Sequence, residues 1–297
     1  MSYSFFRQVA RYNHNFRSQL WALLREILLM VVVLLTLSAV VFIVAVIVDL
    51  RWGMPAISDD LNMSEPADLA FTLGFISVIA IPLVLGVKLA KSRPVGSLFS
   101  LDAKFRWQLM WRAMGVGVVV LLPINVLLAI FNDDVRFEVT TQGLWVLLIA
   151  LVLIPVQCFA EELIFRTYIG QLVGTFVKSP VLPIIAPIPF FVFGHEYELP
   201  GLAAIGIFAL SAGIVAWYTG GIETTTGLHI ANNMLIFVLG SFGLVDLNSV
   251  ASSWGIAILT IVADIFMAVI VIVDYRRQNS DLDSVRINRE ILLSSRF

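Results

Sequence analysis

The sequence predicts an all-α polytopic membrane protein with about eight transmembrane helices in one bundle. Of its 297 residues, 59% are hydrophobic and only 13% are charged, and the mean hydropathy is +0.94. An average soluble domain is roughly 45–50% apolar and about 25% charged, so these values exclude a water-soluble globule. The formal net charge of -2 also excludes disorder and nucleic-acid binding. We therefore expect the lipid bilayer, and no nucleic acid, as a partner.

Eight apolar runs are long enough to be candidate spanning helices, since a span needs about 20 apolar residues. The alternating segments typical of barrel strands are absent from the sequence. The runs cover 27–48, 69–87, 113–131, 144–160, 181–194, 201–218, 228–245 and 254–273. The first run is too long for a secretory signal and has no cleavage site, so it predicts a retained anchor. The fifth contains three prolines, so we expect a kinked or broken helix.

The runs divide the chain into five segments. These are a basic N-terminus at 1–26, a three-span region at 27–143, a core at 144–245, a last span at 246–274 and a tail at 275–297. Within the three-span region, aromatic residues alternate with Lys and Arg over 96–112, which predicts an interfacial helix. An ordinary loop at the lipid headgroups explains this pattern equally well.

The basic residues predict the orientation. With the N-terminus inside, 17 of the 19 Lys and Arg fall in cytoplasmic segments, and only Arg51 and Arg136 fall outside. Cytoplasmic loops normally carry an excess of basic residues, and this excess is extreme. We therefore expect an integral, multi-pass protein with both termini cytoplasmic, in the plasma (inner) membrane of a bacterium.

A pair of glutamates closes the fourth run. Glu162 and Arg166 lie four residues apart with the acid first, which is the favourable order for an ion pair on a helix. Glu161 lies about 100° further round the helix and has no basic residue within one turn. A carboxylate left free in a poorly hydrated place can act as a general base. Solvated acids at a cytoplasmic helix end would give the same pattern.

Two of the three histidines also lie at the ends of apolar runs. His229 and Asn233 are four residues apart and share one helix face, so both can donate hydrogen bonds to one oxyanion. Hydrogen bonding between helices is the simpler explanation for either residue alone. His195 follows the proline-rich run. Ionisable groups inside spans are costly, and together these residues form a complete set for hydrolysing a peptide bond with water.

Three motifs give the chain a family resemblance. Glu161-Glu162-x-x-x-Arg166, Phe191-x-x-x-His195 and His229-x-x-x-Asn233 resemble those of the CAAX-protease and bacteriocin-processing (CPBP or Abi) family of intramembrane proteases. The resemblance covers about a third of the chain and implies a helical bundle with a cavity open to membrane and cytoplasm. It implies that Glu161 and His195 activate water, that His229 and Asn233 hold the oxyanion, and that Glu162 and Arg166 brace the helix.

The resemblance leaves the metal question open. If a metal such as zinc binds, its ligands are expected to be Glu161, His195 and His229. A metal-free glutamate mechanism is favoured, because these three donors come from separate helices and no His-x-x-x-His pair preorganises them.

Two other polar residues in spans are given structural roles. Cys158 is predicted to be an inert packing residue, since buried cysteines usually are. Asp264 is predicted to be a structural hydrogen-bonding residue that faces the bundle.

The leading functional hypothesis is an intramembrane endopeptidase that cuts a membrane-embedded or lipid-attached peptide or protein near the cytoplasmic face. The alternative is a catalytically silent scaffold or immunity protein of the same fold. A transporter has little support, because the charged residues cluster at one site and do not follow a path across the bilayer.

Overall fold

The structure is a computed structural model that describes residues 5–52, 61–131 and 136–294; the side chains of 45, 48, 49, 52 and 280–294 are not described. The predicted N-terminal segment and tail also include 1–4 and 295–297, which lie outside the described residues. Within the described part of the chain, every regular element is a helix. One isolated antiparallel bridge joins Ser100 and Gly221.

The helices follow one another with short connections. Their bounds are α1 Gln8–Tyr12, α2 Phe16–Trp52, α3 Pro66–Ala90, α4 Trp107–Ile130, α5 Thr141–Glu162, α6 Gly170–Phe176, α7 Val181–Ile185, α8 Ile188–Phe193, α9 Leu199–Thr219, α10 Glu223–Ser241 and α11 Trp254–Ser294. Two 3₁₀ turns, Phe5–Arg7 and Val95–Leu98, and one π-helical segment, Leu163–Ile169, complete the described elements.

The predicted all-α membrane fold is confirmed. Among the described residues, six helices are long and apolar enough to cross a membrane. The other two predicted runs are also helical but differ in kind. The fifth is broken into α7 and α8 around Pro187, as its prolines predicted. The seventh is α10, whose 19 residues include the polar side chains of the site.

The sequence predicts that the fourth run ends at the glutamate pair, but the structure shows that it does not. The helix continues through the π-helical segment into α6, so that one apolar element extends over Thr141–Phe176. Glu161 and Glu162 therefore lie inside a long helix. Both are buried, with 7% and 0% of their surface exposed, so the solvated helix end considered above does not describe them.

The loops lie at two opposite ends of the bundle. At one end, hydrogen bonds join neighbouring loops: the Glu138 amide donates to the Phe242 carbonyl, and the Glu198 amide donates to the Val250 carbonyl. We call this the acidic end, because its loops 61–65, 136–140, 195–198 and 242–253 carry five Asp or Glu residues but, of Lys and Arg, only Arg136. The loops 91–106, 177–180 and 219–222 form the opposite, basic end.

The predicted interfacial helix at 96–112 is not present as one helix. After the Val95–Leu98 turn the chain folds back, and helix resumes only at Trp107. The reversal places Ala103 against Gly96, where an added Cβ would collide with the Ala103 carbonyl. It also brings the Leu101 amide to the Gly220 carbonyl at 2.8 Å. Pairing with the turn between α9 and α10 thus replaces the helical hydrogen bonds.

A buried polar network fixes the N-terminal helices at the basic end. Arg93 contacts Glu26 of α2 at 3.0 Å, with 1% and 0% of the two side chains exposed. Arg93 also donates to the Gln171 side chain of α6. Phe5 and Phe6 are fully buried, and Phe6 lies against Gly170 and Gly174 of α6. The N-terminal residues therefore support the far end of the helix that carries the glutamates.

Small residues bring α4 and α10 into close contact. An added Cβ at Gly117 would collide with the Ala231 side chain, and one at Gly227 would collide with the Met110 carbonyl. Close backbone approach through glycine and alanine is a common way for membrane helices to associate. This contact determines where α10 presents His229.

We predict that Gly117→Ala lowers the thermal unfolding temperature of the purified protein, because overpacking of this kind typically costs about 1–3 kcal/mol. Gly115→Ala is the matched control on the same helix, since a Cβ there meets nothing within 4 Å. It should leave the unfolding temperature unchanged or slightly raised. Equal unfolding temperatures for the two variants would contradict the proposed α4–α10 contact.

Candidate active site

His229 lies between two glutamates. Its Nδ1 is 3.0 Å from Oε1 of Glu162, and its Nε2 is 3.5 Å from Oε2 of Glu161. Consecutive residues of α5 thus reach opposite nitrogens of one imidazole on α10. A carboxylate accepts the hydrogen bond at Nδ1, so this nitrogen carries a proton. The structure joins Glu161 to His229 of another helix, although Glu161 has no basic residue within one turn of its own helix.

Arg166 completes the buried group of charges. Its Nε lies 3.4 Å from Oε2 of Glu162, with 2% and 0% of the two side chains exposed. The side-chain nitrogens of Arg166 have no hydrogen-bond partner among the described residues. Its guanidinium carbon lies 4.4 Å from the ring centre of Phe191 and 5.8 Å from that of Phe208. We call Glu161, Glu162, Arg166 and His229 the charge cluster.

A second ion pair fixes the beginning of α10. The Arg106 guanidinium donates to both carboxylate oxygens of Glu223 at 2.8 Å, and the Arg106 backbone amide also donates to this carboxylate. Burial disfavours the charged arginine, but the hydrogen bond and charge of Glu223 outweigh it and raise the pKa of Arg106. This pair ties α10 to the folded-back loop, six residues before His229.

Among the described residues, only one ring nitrogen of His195, Nδ1, has a hydrogen-bond partner. Its Nδ1 lies 2.7 Å from the Phe191 carbonyl, which can only accept a hydrogen bond. The proton of a neutral His195 therefore resides on Nδ1, and Nε2 carries a lone pair. The ring is half-buried and lies near the ring of Phe191, with centroids 4.9 Å apart. Among the described residues, no direct contact joins His195 to Glu161.

Asn233 lies one turn beyond His229 on the same face of α10. Its amide nitrogen is 3.4 Å from Oε1 of Gln157, and its Oδ1 accepts a hydrogen bond from Asn232 at 3.1 Å. Sequence reasoning did not single out Gln157 or Asn232. Gln157 lies four residues before Glu161, so helical spacing alone could have placed it on the same face.

A cavity of about 440 Å³ brings these residues together. His195, His229 and Asn233 line it, together with Asp264 of α11; Glu161 does not. The cavity extends from buried His229 to exposed residues of the loops 195–198 and 242–253. We call these two loops the mouth loops. They belong to the acidic end.

The donor arrangement does not fit the alternative metal site. Both nitrogens of His229 face carboxylates, and Nδ1 of His195 faces a backbone carbonyl. Within the described residues, no group of three or more His, Cys, Asp or Glu could hold a metal ion. Glu161 and His229 meet, but His195 does not join them as a third ligand.

Of the two other polar residues in spans, Asp264 lines the cavity and Cys158 does not. Cys158 is fully buried beside His229 and donates to Gln157 at 3.3 Å, so it does not reach the cavity. Asp264 was predicted to make structural hydrogen bonds within the bundle. It lines the cavity instead, and the described residues give it no hydrogen bond or ion pair.

Comparison with known proteins finds a match to the segment that contains the candidate residues from Glu161 to Asn233. Residues 143–235 match the sequence profile of the Rce1-like family, described as type II CAAX prenyl endopeptidase Rce1-like. The chain is also 32% identical over 191 residues to the uncharacterized protein YyaK of Bacillus subtilis, covering 60% of this chain and 63% of YyaK. No solved structure matches. The family resemblance predicted from the three motifs is confirmed: segment 143–235 is similar to a family described as CAAX prenyl endopeptidases.

We predict that Glu162→Gln and Arg166→Ala each lower the free energy of unfolding substantially, because breaking a buried ion pair typically costs about 3–5 kcal/mol. Arg112→Ala is the control: Arg112 pairs with Asp274, but 46% and 34% of these side chains are exposed. Exposed pairs contribute about 0–1 kcal/mol. Thermal unfolding of the purified proteins measures the difference. Similar losses for all three variants would show that the charge cluster has no special role in stability.

Proposed function

We propose that this chain, through its Rce1-like segment 143–235, is an intramembrane endopeptidase that acts on a membrane-embedded or lipid-attached peptide or protein. The observation that carries the proposal is the cavity lined by His195, His229 and Asn233, with the charge cluster directly behind His229. A prenylated tail, of the kind named in the family description, is one lipid-attached substrate that fits the proposal.

Water activation is assigned to His195 and Glu161. The free Nε2 of His195 can accept a proton from a water molecule in the cavity, since Nδ1 already donates to Phe191. Glu161 adds a carboxylate whose Oε2 has no hydrogen-bond partner among the described residues and whose side chain is 9% exposed. As water attacks the peptide carbonyl, its proton passes to Nε2 of His195, the one of the two groups that lines the cavity. Glu161 acts on the site through its contact with His229. The same proton then protonates the leaving amine, so that the acid–base groups are regenerated.

The oxyanion is assigned to Asn233 and His229. The side-chain amide of Asn233 donates only one long hydrogen bond, of 3.4 Å, to Gln157. Its second amide hydrogen can therefore be donated to a developing oxyanion in the cavity. His229 lines the same cavity, and the charge cluster fixes its ring. Its Nε2 lies 3.5 Å from Oε2 of Glu161 without a hydrogen bond to that oxygen, so a proton on Nε2 can be donated to the oxyanion. Donors positioned before the reaction stabilise the transition state more than the substrate, which is what accelerates hydrolysis.

The position of the mouth loops refines the predicted side of cleavage. The cavity opens at the acidic end, and basic residues predominate at the opposite end. Because basic loops are retained in the cytoplasm, this arrangement favours a cavity that opens away from the cytoplasm. We therefore propose that the substrate enters from the outer half of the membrane. His229 lies only six residues from the beginning of α10 at the basic end, so cleavage near the cytoplasmic face remains a prediction.

Labelling of single cysteines tests this orientation. We expect Ser249→Cys in a mouth loop to react with a membrane-impermeable maleimide in intact cells. Lys104→Cys at the basic end should react only after the membrane is opened. Both positions are exposed, and the natural Cys158 is fully buried and should not react. The reverse labelling pattern would return the cavity to the cytoplasmic side.

One observation favours the alternative, a catalytically silent scaffold or immunity protein. Glu161 does not line the cavity and contacts His229 instead. If Glu161 only holds His229 in place, the cavity can bind a peptide without cutting it.

The Glu161→Gln variant separates the two functions. We expect it to fold and to bind substrate, but not to form the shortened product seen with wild type. The assay compares membrane peptides that co-purify with each protein, by mass spectrometry. Asp102→Asn is the control, because it makes the same kind of acid-to-amide change at an exposed residue that does not line the cavity. Identical products from wild type and Glu161→Gln would exclude the proposed peptidase.

A further inference from the structure

Asp264 is a buried carboxylate that the mechanism above does not use. It lies inside α11, ten residues from the beginning of the helix, and 4% of its surface is exposed. It lines the cavity together with His229, His195 and Asn233. An ionisable side chain inside a membrane span is costly and usually pairs with another group. The described residues nevertheless give Asp264 neither a hydrogen bond nor an ion pair.

The described residues that line the cavity supply no free cation to this carboxylate. Among the described residues that line the cavity there is no Lys or Arg. His229 is close enough to act on Asp264 electrostatically, but both of its ring nitrogens face the glutamates of the charge cluster. Arg166 neutralises Glu162 and does not line the cavity. The carboxyl group of Asp264 therefore remains available to pair with a cationic group of a ligand.

The mouth of the cavity has the same sign of charge. Asp246 lines the mouth and is exposed, and Glu196 and Glu198 lie in the other mouth loop. A narrow cavity with apolar walls concentrates the electric field of such groups and attracts the opposite charge. A cation entering here meets acids first at the mouth and finally at Asp264.

We propose that Asp264 is a specificity-determining residue that binds a positively charged side chain, lysine or arginine, of the peptide that enters the cavity. This inference rests on the proposed peptide-binding function of the same site. The basic residue neutralises the buried carboxylate, while neighbouring residues of the peptide lie against His229 and Asn233. A cavity of about 440 Å³ lies within the usual range of ligand pockets, roughly 300–1,000 Å³. The preferred substrate thus carries a basic residue close to its scissile bond.

The test uses the full chain in nanodiscs of neutral phosphatidylcholine, so that basic peptides are not attracted by anionic lipid. The probes are fluorescent, lipid-anchored peptides in which one lysine is moved along a neutral apolar sequence, with a matched norleucine peptide. Binding is measured by anisotropy in the Glu161→Gln background, which removes turnover. At one lysine position we expect binding about tenfold tighter than that of the norleucine peptide, as for a charge pair with little solvent.

The variants assign this preference to Asp264. Asp264→Asn should reduce the lysine preference to about one, without weakening binding of the norleucine peptide. Asp274→Asn is the matched control, because it makes the same change on the same helix at a half-exposed residue that does not line the cavity. It should keep the preference. Asp264→Glu should retain most of it.

Two results would overturn the inference. One is the absence of any lysine position that binds better than norleucine; the other is equal weakening of both peptides by Asp264→Asn, which indicates a structural residue. Failure of the peptidase proposal is distinguishable. Charge-selective binding without cleavage by wild type supports the role of Asp264 and contradicts the peptidase. Equal cleavage of the lysine and norleucine peptides supports the peptidase and contradicts the role of Asp264.

Discussion

The need to neutralise charge inside an apolar bundle is the constraint on which the site depends. Glu161 and Glu162 have almost no access to solvent, and unpaired carboxylates in such a place are strongly unfavourable. Arg166 and the imidazole of His229 are the groups that offset them. With His229 protonated, the two acids and two bases have no net charge. This balance requires α5 and α10 to lie side by side, although 67 residues separate Glu162 from His229.

The same constraint positions the groups around the cavity. The side-chain nitrogens of Arg166 have no hydrogen-bond partner among the described residues, and its guanidinium lies over the rings of Phe191 and Phe208. Such cation–π contacts stabilise a poorly solvated cation, so α8 and α9 are held against the charge cluster. Phe191 in turn accepts the hydrogen bond from His195. The orientation of His195 therefore depends on an arginine that it does not touch.

Local patterns in the sequence were sufficient for the features that are local in the structure. The apolar runs predicted the helices, the prolines predicted the break between α7 and α8, and the spacing of four predicted the contact of Glu162 with Arg166. Contacts between distant segments could not be obtained in this way. The joining of Glu161 to His229 and the pairing of loop 99–106 with the turn at Gly220 both depend on tertiary packing.

The end of the fourth span was misjudged for a related reason. Charged residues normally end an apolar run, so the sequence predicts a boundary at the two adjacent glutamates. Tertiary compensation makes the boundary unnecessary: once Arg166 and His229 neutralise the acids, the helix can continue through them to Phe176.

The π-helical geometry of Leu163–Ile169 begins directly after Glu162 and contains Arg166. Such segments are rare in helices and occur frequently at functional sites. A wider turn changes the direction in which the following side chains leave the helix. Here Arg166 contacts both Glu162 and the aromatic rings of α8 and α9. A regular α-helical continuation would direct Arg166 differently with respect to α8, and so would alter the support of His195. The backbone irregularity and the charge balance thus act on the same arginine.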